Sequence, residues 1–374
     1  MILSVLGLLV LAIWIALAAR GFWRTDQRDT RTRTATPASW PDVVAVVPAR
    51  DETAVIASAI RSLAAQDCPG DFRVILVDDN SSDSTGALVR QLGFANVTVL
   101  DGAPLAPGWT GKLWAVSQGV AAAGTPRFIW LTDADIAHAP DTLRTLVGIA
   151  EAGDRRLVSF MAKLACTSFA ERALIPAFVW FFQLLYPFAR VNRPGRTAGA
   201  AGGCVLVRRD ALEAAGGIAA IRGALIDDCT LGALIKRQGP IWLGLTNRSR
   251  SIRPYPDVAS IAAMIARSAY AQLDYAPLKL AGTILGLALV YLAPPLLALF
   301  GNGLAQTGGA LAWLLMAALF QPMLRFYHRS PLWGLALPAI AAFYAGCTLL
   351  SGWQYHRGRG GMWKGRAQAA TGAS

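Results

Sequence analysis

Residues 127–138 restrict the possible folds of this chain more than any other stretch. Phe128 to Leu131 is a short apolar run of the kind that fills a buried strand. It stops at Asp133 and Asp135, two carboxylates separated by one alanine. In an open α/β sheet, ligands sit beyond the carboxyl ends of the strands. Two acids at such a place repel each other unless something cationic lies between them. Mg²⁺ or Mn²⁺, with phosphate as a further oxygen ligand, meets that need. Taken alone, the triplet is explained as well by an ordinary strand-end turn, so the rest of the chain has to decide.

Upstream, strands and helices alternate. Residues 43–47 form a β-branched strand, broken by Pro48-Ala49-Arg50-Asp51-Glu52. Residues 54–65 follow as a helix with Val55, Ile56, Ile60 and Leu63 on one face. Residues 72–77 form a second strand, ended by Asp78-Asp79-Asn80-Ser81-Ser82-Asp83-Ser84-Thr85, a cluster suited to cap the helix that continues through Val89. A third strand at 97–100, a Gly- and Pro-rich loop at 101–111 and a helix at 112–122 complete the approach to Phe128. Downstream, 142–150 reads as helix, 157–162 and 204–207 as strands, and 209–215 as a short helix. Leu225-Ile226-Asp227-Asp228-Cys229-Thr230 opens a helix to Arg237, and 241–245 is a strand. The alternation predicts an α/β fold with a doubly wound, mostly parallel sheet.

The apolar content, 54% of the chain, is unevenly placed. Residues 1–19 read as a transmembrane anchor, and three spans are expected within 278–353, at about 278–300, 310–320 and 332–350. The formal charge of +12 lies largely beside those runs, which suggests orientation and contact with anionic lipid, not nucleic acid. Arg20, Arg24, Arg28, Arg31 and Arg33 follow the first run, so positive-inside logic leaves the downstream domain in the cytoplasm. Cleavage after Ala16-Leu17-Ala18 is the competing reading. Residues 20–40 read as a basic linker along the headgroups, and residues 41–257 as the folded domain. Within it, the aromatic stretch at 169–190 reads as an interfacial helix, with a further span as the alternative. Residues 258–277 read as an amphipathic interfacial segment and 354–374 as a basic tail. A cytoplasmic Arg325-Phe326-Tyr327-His328-Arg329 would put that tail outside, against the positive-inside rule. The five cysteines show no metal-ligand or disulfide spacing, as suits a reduced compartment.

Parallel topology would bring the strand-end acids, Asp51, Glu52, Asp78, Asp79, Asp133 and Asp135, to one edge of the sheet. No Gly-x-Gly-x-x-Gly follows the first strand, no Gly-Lys-Ser/Thr phosphate loop is present, and no Gly-x-Ser-x-Gly elbow accompanies the three histidines. A dinucleotide-binding domain, a P-loop enzyme and a serine hydrolase are thereby disfavoured.

Five motifs, in order, resemble the inverting family 2 glycosyltransferases of the GT-A fold: Val47-Pro48-Ala49-Arg50-Asp51-Glu52, Val77-Asp78-Asp79-Asn80-Ser81-Ser82-Asp83, Gly111-Lys112, Asp133-Ala134-Asp135 and Asp227-Asp228. Gly108-Trp109-Thr110-Gly111-Lys112-Leu113-Trp114-Ala115, together with the anchor and the C-terminal apolar runs, is most similar to hopene-associated (hopanoid biosynthesis) members. Ceramide glucosyltransferases share the layout.

That resemblance implies roles. Pro48, Arg50, Asp51, Glu52, Asp78 and Asp79 would hold the nucleotide; helix capping by Asp51 and Asp79 is the structural alternative. Lys112 would meet donor phosphate, or else be a solvated lysine. Asp133 and Asp135 would bind Mg²⁺ or Mn²⁺ bridging the diphosphate, Asp133 also touching the donor. Asp228 would be the general base, with Asp227 beside it, where relatives carry Glu-Asp; an N-cap pair is the alternative. His138 is either a further metal ligand or a polar residue at a helix entrance. Arg267 stands where processive relatives keep Gln-x-x-Arg-Trp, without the Trp, which argues against a polysaccharide synthase. Arg267 would touch diphosphate or line a solvated helix face. Trp363-Lys364-Gly365-Arg366 is similar to an ending of membrane-bound relatives.

The expectation is therefore an integral enzyme of a bacterial inner membrane. Its donor would be a nucleotide-sugar, a UDP-sugar first, and its acceptor a lipid of hopanoid type. A ceramide or polyprenyl phosphate acceptor is the alternative within the class, and a non-catalytic membrane scaffold is the alternative outside it.

Overall fold

The structure, a computed structural model, describes residues 1–363, 366 and 367, with side chains through Gly361. Lys364 and Gly365 of the basic tail lie outside the described residues. The chain forms two compact units.

The sheet unit comprises Asp26–Ala165 and Phe188–Pro254. Its eight strands are β1 (Val43–Ala49), β2 (Phe72–Asp78), β3 (Val97–Asp101), β4 (Phe128–Leu131), β5 (Ile136–His138), β6 (Leu157–Lys163), β7 (Val205–Arg208) and β8 (Ile241–Ser251). They lie in the order β3-β2-β1-β4-β7-β6-β8-β5. One half, β3-β2-β1-β4, is parallel throughout. Every residue of β1 is buried, as a strand covered on both faces requires. Helix Gly111–Ala122 lies close on this half. A Cβ at Gly119 would come within 2.4 Å of Val46 Cγ1, so glycine sets the approach. The other half is mixed. β7 runs against β4 and β6, β6 runs with β8, and β5 pairs antiparallel with β8 at the far edge. The α/β sheet thus matches expectation, with the parallel character concentrated in the half that carries the first acids.

Two expectations change within this unit. Residues 26–35 are not a detached linker. Leu245 N–H donates to Gln27 O at 2.9 Å and Ala35 N–H to Gly148 O at 2.9 Å. Asp29 is buried and accepts from the Thr246 hydroxyl at 2.6 Å and the Arg248 guanidinium at 2.7 Å. A buried carboxylate needs such partners, and they convert an Arg/Thr-rich stretch into a strap on β8.

His138 stands in the edge strand β5, not at a helix entrance. Its Nε2 lies 2.9 Å from Thr132 Oγ1, and that hydroxyl donates its proton to Gly203 O. Nε2 is therefore the donor to Thr132, leaving Nδ1 to accept from Ser249 Oγ at 2.9 Å. Both ring nitrogens are engaged, so His138 is a structural residue and not a metal ligand.

The helical unit comprises Met1–Thr25, Cys166–Pro187 and the chain from Tyr255 onward. Among the described residues, four helices are long and apolar enough to cross a membrane: Ile2–Arg20, Phe169–Val191, Pro277–Phe300 and Gly303–Phe326. The expected spans at 278–300 and 310–320 correspond to two of these. Leu337–His356, at the place of the expected span at 332–350, is helical but is not one of the four. Pro277–Phe300 runs through Pro294 and Pro295 with a π turn at Ala288–Leu292, because prolines supply no N–H to the preceding carbonyls. Small residues bring the first helix onto Gly303–Phe326: a Cβ at Gly308 would lie 2.6 Å from Gly7 O.

Residues 169–190, expected as an interfacial part of the catalytic domain, instead contribute Cys166–Pro187 to the helical unit. Trp180 stacks on Trp23 at 3.8 Å, meets Phe320 edge-on at 5.2 Å and donates to Tyr291 OH at 3.1 Å. Trp180 is thereby fully buried in protein, whereas Phe169 at the start of the stretch is 75% exposed. The segment expected at 258–277 is a short helix, Val258–Ala266, tied to Leu337–His356. Ser351 Oγ donates to Ala266 O at 2.5 Å and accepts from Tyr270 N–H at 3.0 Å.

Candidate active site

The site is built at the carboxyl ends of β1, β2 and β4. At the end of β1, Arg50 reaches toward β2 and donates to Asp79 O at 2.5 Å and Asn80 O at 3.2 Å. Asp51 has a φ of 51°, a left-handed conformation that aspartate tolerates. Its Oδ1 accepts from Ser82 N–H at 2.6 Å and Ser82 Oγ at 3.0 Å. Capping of the next helix, Thr85–Gln91, falls to other residues. Asp78 accepts from Ser81 N–H at 3.0 Å and Gly86 N–H at 3.1 Å. Asp83 accepts from the backbone and hydroxyls of Thr85 and Thr53. Against the cost of desolvation, those four bonds pull the Asp83 carboxyl down to about 2. Asp79 is buried beneath this loop.

At the end of β4, Asp133 and Asp135 each meet a cation. Lys112, in the first turn of Gly111–Ala122, places Nζ 2.9 Å from Asp133 Oδ1 and 3.0 Å from Asp227 Oδ2. Arg253 donates from Nε to Asp135 Oδ2 at 2.7 Å and from Nη2 to both oxygens of Glu52 at 2.6 and 2.5 Å. Burial, then the neighbouring Asp133, push the Asp135 carboxyl above the usual range, with Arg253 opposing. Lys112 is held firmly charged: Asp133 and Asp227 more than offset its burial.

Asp227 and Asp228 open the helix Asp227–Lys236. Asp228 accepts from Gly202 N–H at 2.9 Å and Cys229 N–H at 2.7 Å. Burial and the adjacent Asp227 nevertheless raise it to about 6, against Lys112 and those two bonds. Lys112, Asp133, Asp227 and Asp228 line one cleft together with Pro48 and an apolar wall that includes Val116, Ile218 and Leu231. Glu52 and Asp135 are joined through Arg253, while Arg50, Asp51, Asp78 and Asp79 organise the β1 and β2 loops. Arg267 is an exposed residue at the end of Val258–Ala266 and belongs to the helical unit, whereas the residues above belong to the sheet unit.

Among the described residues, no group of three or more His, Cys, Asp or Glu side chains is arranged to hold a metal ion. The oxygen-only pair Asp133 and Asp135 nevertheless fits Mg²⁺ or Mn²⁺, which are commonly held by one or two carboxylates and completed by substrate phosphate and water. Asp133, 34% exposed, is the more open of the two. Arg253 is the residue that sequence reasoning missed. It belongs to no motif, and its only signal is an arginine-rich strand end at Arg248, Arg250 and Arg253. Ile252 N–H, donating to Asp135 O at 2.8 Å, sets it beside the acid.

Comparison with known proteins defines the class of this unit. Residues 44–216, a little under half of the chain, match the family described as Glycosyl transferase family 2. Over 103 residues it is 36% identical to a 4,4'-diaponeurosporenoate glycosyltransferase of Staphylococcus aureus (strain bovine RF122 / ET3-1), covering 27% of this chain and 26% of that protein. The protein of the same name from strain MRSA252 is 37% identical over 91 residues, 24% of this chain and 23% of that one. The matched stretch is thus about a quarter of the length of these curated relatives. Among solved structures, the mannosyltransferase PcManGT from Pyrobaculum calidifontis, in complex with GDP-Man and Mn²⁺, is 18% identical with a TM-score of 0.59, covering 94% of this chain and 99% of that one. The shared fold is GT-A.

Proposed function

We propose that this protein is a membrane-bound, metal-dependent, inverting glycosyltransferase that moves one sugar from a nucleotide-sugar to a lipid acceptor. The observation that carries the reading is Asp228: a half-buried carboxyl raised to about 6, in one cleft with Lys112 and Asp133. A base poised near neutral pH suits removal of a hydroxyl proton. Asp228 takes that proton as the acceptor oxygen bonds to the anomeric carbon from the face opposite the leaving group. The bond from that carbon to the diphosphate oxygen breaks, and the nucleoside diphosphate departs. Asp133 and Asp135 would hold a divalent ion, which when bound would supply Lewis-acid stabilisation of the leaving diphosphate. Lys112 offers its ammonium to the same phosphates, and the β1 and β2 loops, with Pro48, Arg50, Asp51, Glu52, Asp78 and Asp79, hold the nucleoside.

The four apolar helices and the carotenoid acid in the names of the curated relatives support a lipid acceptor. The hopanoid-type lipid, the UDP-sugar and the inner membrane with a cytoplasmic catalytic unit rest on the sequence resemblance and on the arginines after the first helix. A second reading follows from the relatives' names: a lipid carboxylate as acceptor, which needs no base.

The test is release of nucleoside diphosphate by the purified protein in lipid, with Mn²⁺ or Mg²⁺, over a panel of UDP- and GDP-sugars, with and without total bacterial lipid. Lipid-dependent release from one donor, stopped by chelator and restored by metal, is the expected result. Donor binding without transfer to any lipid extract would point to a scaffold instead. An acceptor that remains a substrate for Asp228→Asn would favour the carboxylate reading.

A further inference from the structure

Both acids of the Asp133–Asp135 pair are neutralised by the chain itself. Asp135 has Arg253 at 2.7 Å. Asp133 has Lys112 at 2.9 Å, and the same ammonium spans to Asp227 at 3.0 Å. Gly202 lines the same cleft: a Cβ there would be in ordinary contact with Lys112 Nζ, at 3.5 Å, and with Asp228 Oδ2, at 3.4 Å. One flexible cation therefore joins the strand-end acid of β4 to the acid pair that opens Asp227–Lys236.

We propose that Lys112 is a placeholder cation: without donor, its ammonium holds the position between Asp133 and Asp227 that divalent charge takes when donor is present, so that metal and nucleoside diphosphate bind strongly only together. This rests on the glycosyltransferase reading for the identity of the nucleotide.

The physical case has three parts. A divalent ion approaching Asp133 alone meets an ammonium already on the same carboxylate, and the two repel. If the ammonium leaves with nowhere to go, it becomes a partly buried cation without its partners, which is costly. A diphosphate removes both obstacles, because its oxygens accept the ammonium and share the metal. Lysine suits this exchange because it is a compact charge on a flexible stem with three donors, whereas an arginine fork locks onto one partner. Its place in the first turn of a twelve-residue helix adds backbone N–H groups that favour phosphate. The result is a coupling free energy between two ligands, set by one side chain.

The experiment measures Mn²⁺ affinity of the full-length protein in lipid nanodiscs from the free-Mn²⁺ electron paramagnetic resonance signal, with and without UDP or GDP. In the wild type, saturating nucleotide should tighten Mn²⁺ binding at least ~10-fold, within the usual range of such couplings. Lys112→Met should bind Mn²⁺ alone at least ~10-fold more tightly than wild type, and nucleotide should add little. Lys112→Arg should keep Mn²⁺ alone weak. Unchanged or weaker Mn²⁺ affinity in folded Lys112→Met overturns the proposal. So does tight Mn²⁺ binding by the wild type without nucleotide, a result that needs no variant to fold. If the wild type binds neither UDP nor GDP while Lys112→Met gains Mn²⁺ affinity, Lys112 still occupies the metal position, but the coupling to nucleotide and the glycosyltransferase reading both fall.

Discussion

Arg253 and Asp135 stand 118 residues apart in the chain and 2.7 Å apart in the structure. The same guanidinium grips Glu52, 201 residues away, through both oxygens. This places a crosslink between the end of β1 and the turn after β4, two of the strand ends that form the site.

Losing that link should weaken the fold before it affects chemistry. Arg253→Met leaves the buried Glu52 and Asp135 without their cation. Removing one partner of a buried pair costs about 3–5 kcal/mol, and the partial exposure of Arg253 lowers this to about 2. Thermal unfolding in lipid should show the loss, with Arg253→Lys intermediate because it lacks the bidentate fork. A wild-type midpoint for Arg253→Met would mean that the pairing contributes nothing.

Asp228→Asn keeps the size and the acceptor oxygen of the side chain and removes its basicity. Turnover on a lipid hydroxyl should fall about 10²–10⁴-fold, while donor affinity stays within about twofold. Near-normal turnover would take the base role away from Asp228.

The pH profile follows from the same residue. Burial and Asp227 raise Asp228 to about 6, so the base form is lost as pH falls through that value, and activity should drop on the acid side with a midpoint there. The linked stability effect has the opposite sign. The folded state holds this proton more tightly than the unfolded chain, so Asp228 favours folding below about 4, and that contribution is lost as pH rises through about 6. Asp227→Asn removes the like charge and should move the acid limb to lower pH. An unmoved limb would assign it to another group.

His138 should be indifferent to metal. Burial lowers its imidazole to about 3, so it is neutral at any working pH, and its two nitrogens serve Thr132 and Ser249. His138→Phe should cost about 1–3 kcal/mol from the broken buried bonds while leaving the metal requirement unchanged. An altered Mn²⁺ dependence would contradict the structural role.

Much of the sheet unit is legible in the sequence because its strands are continuous apolar runs and its turns are acidic or glycine-rich. Val43–Ala49 and Phe128–Leu131 cannot be exposed, and acids after them can only mark their ends. Lys112, Asp133, Asp227 and Asp228 likewise stand out within motifs, and the geometry puts all four in one cleft. The remainder depends on contacts between distant residues. β5 is only three residues long, and its strand character comes from pairing with Ser249–Ser251, far along the chain. Arg253 has no motif because its meaning lies in Glu52 and Asp135. The aromatic run at 169–190 has the composition of an interfacial helix, and only the positions of Trp23, Tyr291 and Phe320 show that Trp180 within it faces protein.

The strap at residues 26–35 decides where a catalytic fragment can begin. A fragment starting at Pro41, where the regular α/β pattern begins, would remove Gln27 O from Leu245 N–H and Asp29 from both Thr246 and Arg248. Two polar groups and a guanidinium on β8 would lose partners at once, on the strand that leads to Arg253. Cutting before Asp26 preserves them. Residues that look like a tether in sequence are, for protein production, the first turn of the enzyme.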